Sequence, residues 1–143
     1  MTFPRDPAGV PHRFGPGRPC PGHPELRGPD AGAWAGRTLE EVAAHSPDAV
    51  RSWLTDPAYA PPGGESVAEL TARVGAYLGT LEPGTHRAVV EQAVVRAAVV
   101  HALELPAAAF WRLDVRPERV TTLTGRAGRW NLLLGRPGEP ADV

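Results

Sequence analysis

Apolar residues recur at a helical spacing along the segment ESVAELTARVGAYLGTLEPG, residues 65–84. Ser66 and Glu69 have the spacing of a capping box, in which each side chain satisfies a free backbone N–H of the other residue. Pro83 and Gly84 end the apolar run. The segment therefore predicts an amphipathic helix. Its buried face should carry Val67, Leu70, Val74, Tyr77, Leu78 and Leu81.

Two shorter helices are predicted upstream of this one. Thr38 and Glu41 repeat the capping-box spacing, so the first of these helices should begin near Thr38. Ser46 precedes Pro47, an arrangement typical of a cap residue followed by proline at the first helical position. We expect this second helix to direct three apolar side chains inward, those of Val50, Trp53 and Leu54.

The downstream half of the chain predicts strands as well as a helix. Residues 87–91, RAVVE, form a short β-branched run of the buried-strand type, and an Ala/Val-rich helix follows to about Leu105, where Pro106 ends it. A strand that leads directly into a helix indicates an α/β layer arrangement. Residues 118–135 predict two further strands joined by the turn GRAG, a C-terminal β-hairpin.

Composition along the chain suggests three regions. Residues 1–30 contain eight prolines and five glycines and have no apolar period, so they predict an irregular arm. Residues 31–136 carry the predicted helices and strands and form the α/β domain. Residues 137–143 predict a flexible tail.

Bulk composition excludes several classes of function. A chain of 143 residues with 42% hydrophobic residues and a net charge of −1 predicts one globular domain, with no single-sign field for nucleic acid. No apolar run approaches the roughly 18 residues of a membrane span, and the N-terminus lacks the apolar core of a signal peptide. A cytoplasmic protein without nucleic-acid or membrane partners is therefore expected. Cys20 is the single cysteine, and the uniform use of arginine over lysine carries no functional weight.

Four motifs occur in an order that resembles the histidine phosphatase superfamily, whose members share the phosphoglycerate-mutase-like fold. LRGPDAGAWAGRTLEEV is similar to that family's L-R-E-x-D-F-G-x-W-E-G-x-T-L-E-E, and PPGGESVAELTARV to its P-P-G-G-E-S segment with the helix after it. VVEQAVVRAAVVHAL is similar to V-V-T-H-G-G-V-I-R-A, and GRAGRWNL to the last strand. The resemblance runs from about Pro24 to Gly135. It implies a three-layer α/β fold that lacks its N-terminal strands and ends in a β-hairpin.

The resemblance also implies that the family's chemistry is lost. In the family, a histidine of an Arg-His-Gly motif forms phosphohistidine, a second histidine and arginines bind the phosphoryl oxygens, and an acid protonates the leaving group. The Arg-His-Gly strand has no counterpart among the residues before the first match. Gly28 stands at the position of the acid and Glu91 at that of the second histidine, with Gln92 and Ala93 at the following glycines. A catalytically degenerate member, a pseudoenzyme, is implied.

Glu91 and Gln92 are the leading ligand-pocket candidates because they follow a predicted strand and begin a predicted helix. A carboxylate at a helix N-terminus can stabilise the free N–H groups there by roughly 0.3–1 kcal/mol, which makes Glu91 a helix cap. The same corner of an open α/β sheet is where ligands bind, which would make Glu91 a ligand or general base. Both interpretations remain open at this point.

Asp30 is the third pocket candidate. It stands at the position of the aspartate in the family's L-R-E-x-D-F-G and could face the same crevice as Glu91. Two acids there would suit a cation, although an aspartate after Pro29 is usually a turn residue. The Cys20-x-x-His23 pair has only loose metal-ligand spacing, and neither a metal nor a cofactor is assigned. Other residues of interest favour structural roles: His101 and the four tryptophans in the core, and Glu65 with Arg73 as an ion pair.

The function expected from these observations is binding, structural or regulatory, without phosphate hydrolysis. Two alternatives remain: an enzyme of another reaction class that reuses the crevice around Glu91, and a phosphatase or mutase whose catalytic residues do not align. The resemblance further implies a sheet edge without its usual neighbour. We therefore expect a homodimer or a protein partner that covers this edge, and a small-molecule or cation ligand is possible.

Overall fold

The computed structural model of the protein describes residues 2–4, 14, 17–116, 119–126 and 128–135. The first two helices are α1 (Leu39–His45) and α2 (Pro47–Thr55). Thr38 forms the predicted capping box with Glu41. The prediction for α1 is therefore confirmed. It was accessible from the sequence because the two residues of the capping box, Thr38 and Glu41, lie within one helical turn.

Helix α2 begins at the predicted proline, but one of its predicted core residues faces solvent. Ser46 is the N-cap and makes no side-chain cap hydrogen bond. Val50 is buried and Trp53 is half-buried, whereas Leu54 is 44% exposed. The inward prediction for Leu54 is wrong because α2 packs on the short α1 and, through Trp53, on three aromatic side chains, and this contact leaves Leu54 outside it.

Helices α3 (Val67–Leu78) and α4 (Gln92–Ala102) pack against each other and form the main core. The capping box between Ser66 and Glu69 is present, and Ser66 is itself buried. Helix α3 ends at Leu78 with Gly79 as C-cap, somewhat before the predicted end. Its predicted apolar face is confirmed. Val67, Leu70, Val74 and Leu78 are buried, and Tyr77 and Leu81 pack at the margin.

A glycine allows the close contact between the two long helices. A Cβ on Gly75 would lie 2.7 Å from Cε1 of His101. The imidazole of His101 is half-buried in this space, as the core interpretation of His101 predicted. Helix α4 ends three residues earlier than predicted, where Glu104 adopts a left-handed conformation (φ 52°) and Leu105 donates its N–H to the carbonyl of Val100.

The segment before α4 is extended but forms no continuous strand. Arg87 and Val90 make isolated bridge pairings, Ala88 and Val90 are buried, and Val89 is 49% exposed. The prediction of a strand buried on both faces is therefore wrong. The side chains alternate between core and solvent, as in a segment with one covered face.

The sheet consists of three antiparallel strands, β1 (Thr2–Pro4), β2 (Val120–Arg126) and β3 (Arg129–Leu133), in the order β1-β2-β3. Strands β2 and β3 form the predicted hairpin, with Thr124 opposite Asn131. Strand β1 was not predicted. Phe3 pairs with Thr121, so part of the supposed arm belongs to the sheet.

The arm also contributes to the core, which the sequence did not indicate. Leu26, in the 3₁₀ helix Pro24–Leu26, is fully buried, and Cys20 is 3% exposed. A second, aromatic cluster surrounds Trp34 and includes Phe14, Trp53 and Tyr59. Two parts of the predicted regions lie outside the described residues. They are residues 1, 5–13, 15 and 16 of the arm, and the tail at 137–143.

Candidate functional site

Four segments build the site: residues 17–19, 25–32 and 87–91 at the N-terminal end of α4, and residues 62–65, which pack on residues 30–33. Two of them are joined through their main chains, since Glu65 N–H donates to the carbonyl of Asp30 (2.8 Å) and Ala33 N–H to that of Pro62 (2.8 Å). A Cβ on Gly64 would lie 2.6 Å from the Asp30 carbonyl oxygen. The glycine-rich segments of the sequence are therefore needed for close backbone packing.

The arm approaches the same place through two glycines. Gly28 N–H donates to the carbonyl of Arg18 (2.9 Å). Gly17 has a φ of 89°, and a Cβ there would lie 2.9 Å from the Gly28 carbonyl oxygen. A side chain at Gly17 would be strained by both its backbone conformation and this contact. The arm can therefore run directly over residue 28.

Arg73 fixes the 25–28 segment onto α3. Its Nε and Nη2 donate to the two carboxylate oxygens of Glu65 at 2.9 and 2.7 Å. Its Nη1 donates to the carbonyls of Glu25 (2.6 Å) and Arg27 (3.0 Å). The structural ion pair predicted from the sequence is confirmed, and the paired side chains are only 15% and 16% exposed. One guanidinium thus holds the chain that leads into Gly28.

Glu91 lies at the centre of the site. It is the N-cap residue of α4 by backbone position, but its side chain makes no cap hydrogen bond. The interpretation of Glu91 as a side-chain cap is therefore wrong. The carboxylate instead turns toward Gly28, where an added Cβ would overlap with Oε2 and lie 2.8 Å from Oε1.

Burial changes the acidity of this carboxyl group. Loss of water around Glu91 raises its pKa, although a hydrogen bond from the Arg18 backbone N–H and the Arg18 positive charge act in the opposite direction. The loss of hydration is the larger effect. Glu91 is thus a half-buried carboxyl group that holds its proton to a higher pH than an exposed glutamate.

A cleft of about 560 Å³ opens beside Glu91. Two arginines and one carboxylate provide its charges, and proline, alanine and valine provide most of its walls. The lining residues are Arg18, Pro19, Pro21, Arg87, Ala88, Val89, Val90 and Glu91. Its volume is within the usual range of small-molecule sites.

The structure separates the three pocket candidates of the sequence. Glu91 lines the cleft, whereas Gln92 and Asp30 are not among the lining residues. Asp30 is exposed, and its Oδ1 accepts the N–H of Gly32 at 2.8 Å in an Asx turn. Gln92 is the first residue of α4 and is half-buried. The expected pair of acids in one crevice is therefore not formed.

The possible metal ligands of the arm have other contacts. Nδ1 of His23 is hydrogen-bonded to the hydroxyl of Tyr77 (2.5 Å), and burial raises the pKa of the Cys20 thiol. Within the described ranges, no group of three or more His, Cys, Asp or Glu side chains is arranged to hold a metal ion.

Three residues that build the site have no signal in the sequence that marks them as part of it, namely Arg18, Arg73 and Arg87. The sequence predicts Arg73 as an ion-pair partner of Glu65, but its contacts to main-chain carbonyls more than 45 positions away leave no local pattern. Arg18 lies in a Pro/Gly-rich stretch with no periodic pattern, and no local signal could have brought it to Glu91. Because every basic side chain other than histidine is arginine, the residue type alone does not distinguish the two cationic groups of the cleft.

The arrangement permits a limited chemistry. A carboxyl group with a raised pKa can act as a general acid or base at a higher pH than an ordinary glutamate. The guanidinium groups can bind an anion. Within the described residues, no histidine lines the cleft.

The family comparison matches residues 13–136 to the histidine phosphatase superfamily (branch 1). Curated relatives include bifunctional protein Rv2228c of Mycobacterium tuberculosis, which is 47% identical over 45 residues. That match spans 32% of this chain and 12% of the relative. The same figures describe an uncharacterized protein of Mycobacterium bovis, Mb2253c.

Solved structures share the fold over most of the chain. Mycobacterial glucosyl-3-phosphoglycerate phosphatase Rv2419c in complex with VO3 superposes with a TM-score of 0.65 at 29% identity, over 76% of this chain and 60% of that one. The alpha-ribazole phosphatase of Shigella flexneri gives a TM-score of 0.65 at 19% identity, over 77% and 57%. The predicted phosphoglycerate-mutase-like fold is confirmed. The chain spans about 60% of the length of these neighbours.

None of the helices in the described part of the chain is long and apolar enough to cross a membrane.

Proposed function

Because the chain belongs to the histidine phosphatase superfamily, we propose that it is a member that binds a ligand without hydrolysing phosphate. The carboxylate of Glu91 against Gly28 is the observation that carries this proposal. This carboxylate occupies the corner at the N-terminus of α4, where a phosphate-binding site needs donors and positive charge. The 143 residues also contain no Arg-His-Gly tripeptide.

Electrostatics supports the proposal. Two unit charges 4 Å apart interact by about 4 kcal/mol at an effective dielectric constant of 20. An ionised Glu91 would repel a phosphate in the same corner by an energy of this order. Arg18 offsets part of the repulsion, but its backbone N–H and its charge already act on Glu91. A phosphate would have to displace an anion that belongs to the protein.

The test is an assay of the full chain with p-nitrophenyl phosphate and other phosphomonoesters. We expect release of phosphate no faster than in the buffer blank. The Glu91→Gln variant, which keeps the shape of the side chain, is assayed in parallel. Turnover by the unaltered chain above the buffer blank would overturn the proposal and favour a phosphatase with unaligned catalytic residues. Loss of that turnover in Glu91→Gln would show that it arises at this site.

A second candidate function is supported by the acidity of Glu91. A half-buried carboxyl group with a raised pKa, beside a cleft of about 560 Å³, is suited to general acid or base catalysis of a different reaction. We would test it with a panel of carboxylic esters and glycosides, comparing the unaltered chain with Glu91→Gln. A rate that depends on Glu91 and follows its titration would support this function. The absence of any such rate would count against it.

We further propose that the chain self-associates or binds a protein partner through apolar surface. Val89 beside the cleft is 49% exposed, and Leu133 and Leu134 at the end of β3 are 42% and 81% exposed. Sedimentation velocity over a range of concentrations tests self-association. A chain that is monomeric at all concentrations would exclude self-association. Binding to a different protein would then be the remaining form of the proposal, to be tested by binding experiments. We also propose a cytoplasmic location, which fractionation of the producing cells would test.

A further inference from the structure

We propose that the cleft between residues 18–21 and 87–91 binds a small organic anion with an apolar body, and that Arg87 binds the anionic group. This inference names the ligand class of the site proposed above and so rests on the proposed function. It places the ligand beside the corner that Glu91 fills.

The charges of the cleft favour an anion. Arg18 and Arg87 contribute two positive charges, and an ionised Glu91 contributes one negative charge. Arg18 acts on Glu91 through both its backbone N–H and its charge. Arg87 is exposed, and its guanidinium makes no ion pair within the described part of the chain. Glu91 therefore compensates the charge of Arg18, and the positive charge of Arg87 remains for a ligand.

The walls of the cleft favour an apolar body on the ligand. Pro19 and Pro21 form one side, and residues 88–90 form the other. Val89 is 49% exposed and lines the cleft, so its side chain offers apolar surface to a ligand there. A ligand that covers it removes apolar surface from water, and a small inorganic anion cannot do this.

The experiment measures binding by isothermal titration calorimetry with phenylphosphonate, inorganic phosphate and benzylammonium. The carbon–phosphorus bond of phenylphosphonate is not an ester bond, so binding is measured independently of hydrolysis. We expect phenylphosphonate to bind at least tenfold more tightly than either of the other two probes. Equal or tighter binding of benzylammonium, or equal binding of inorganic phosphate, would overturn the proposal.

Variants locate the site. Arg87→Gln should weaken phenylphosphonate binding by about tenfold or more, because it removes a charge-assisted hydrogen-bond donor. Glu91→Gln should strengthen binding, because it removes the negative charge of the cleft. Arg112→Gln alters an exposed arginine outside the cleft and should leave binding unchanged. An Arg87→Gln variant that is folded, as shown by its urea unfolding curve, and binds as tightly as the unaltered chain would overturn the assignment.

The outcomes separate the two proposals. Hydrolysis of p-nitrophenyl phosphate would overturn the proposed function and leave the ligand class standing. Failure of phenylphosphonate to bind at millimolar concentration would overturn the ligand class and leave the non-hydrolytic function standing.

Discussion

The carboxylate of Glu91 fills the volume in which Gly28 would carry a side chain. Residue 28 belongs to the segment held by Arg73, and residue 91 immediately precedes α4. The two positions are 63 residues apart in the sequence but share one space. Each residue therefore determines what the other can be. A carboxyl group can enter this corner from position 91 only while position 28 is a glycine.

Substitution of Gly28 by alanine should force the Glu91 carboxylate out of its position. Gly28 does not have a positive φ, so steric overlap is the main cost, and overpacking of this kind costs about 1–3 kcal/mol. The displaced carboxyl group should titrate closer to an ordinary glutamate. Urea unfolding and NMR titration of Glu91 measure the two effects.

Two further variants complete this test. Gly79→Ala is the matched control, because Gly79 is exposed, has a φ of −67°, and a Cβ there would meet its nearest atom at 3.4 Å. It should be nearly neutral. Gly28→Ala should also cost less in a Glu91→Ala background, since the obstacle is then absent. Additive costs in the double variant would contradict the shared volume.

Glu91→Gln should change how stability depends on pH. Burial raises the pKa of Glu91 in the folded state. The folded protein therefore binds more protons than the unfolded chain, and its stability falls as the pH rises from the ordinary glutamate pKa of about 4.3 through the raised value. The glutamine variant lacks this loss. Its advantage in unfolding free energy should grow with pH over this interval.

Urea unfolding at several pH values between 4 and 8 measures this advantage. Glu82→Gln, at an exposed glutamate that does not line the cleft, is the control for the loss of one negative charge. A constant difference between Glu91→Gln and the unaltered chain at all these pH values would contradict the raised pKa.

Arg73→Ala should destabilise the protein strongly. It leaves the carboxylate of Glu65 and two main-chain carbonyls without their donor, and removal of one partner of a buried ion pair costs about 3 kcal/mol or more. Arg73→Lys should recover only part of this loss, because an ammonium group cannot reproduce the planar fork.

Arg51→Ala is the matched control for this prediction. Arg51 forms an i,i+3 ion pair with Asp48, but the two side chains are 75% and 93% exposed. Such pairs contribute at most about 1 kcal/mol. Unfolding curves that shift equally for Arg51→Ala and Arg73→Ala would contradict the role of Arg73 as a clamp.

Cys20 should react slowly with iodoacetamide in the folded protein. Burial raises the pKa of its thiol, so less of the reactive thiolate is present at pH 8 than in a free cysteine, and the side chain is only 3% exposed. Because Cys20 is the single cysteine, mass spectrometry follows one site. Labelling in urea provides the comparison. Equal rates in the folded and unfolded protein would contradict the burial.

The sequence predicted what depends on neighbouring residues. The capping boxes at Thr38 and Ser66 and the pairing of β2 with β3 each join residues that are near one another in the sequence, and the structure contains all three. The family resemblance correctly predicted the fold because its motifs mark how the segments pack. The resemblance also predicted Glu91 as a ligand-pocket residue, and Glu91 lines the cleft.

What the sequence did not predict depends on contacts across the chain. Asp30 uses its carboxylate in its own turn, a local alternative that the motif alignment could not exclude. Val89 alternates out of the core because only one face of its segment is covered. The Arg18 contact with Glu91 joins an arm without periodicity to a helix end. No pattern within either segment carries this information.

The main-chain joint between residues 30–33 and 62–65 makes the scaffold tolerant of side-chain substitution. Hydrogen bonds between backbone groups do not depend on side-chain identity, and they are preserved while the glycines remain. Mutations could therefore exchange the chemical groups at the corner one at a time without collapse of the scaffold. Such a joint makes the architecture less sensitive to substitution than any chemistry that depends on the side chains around it.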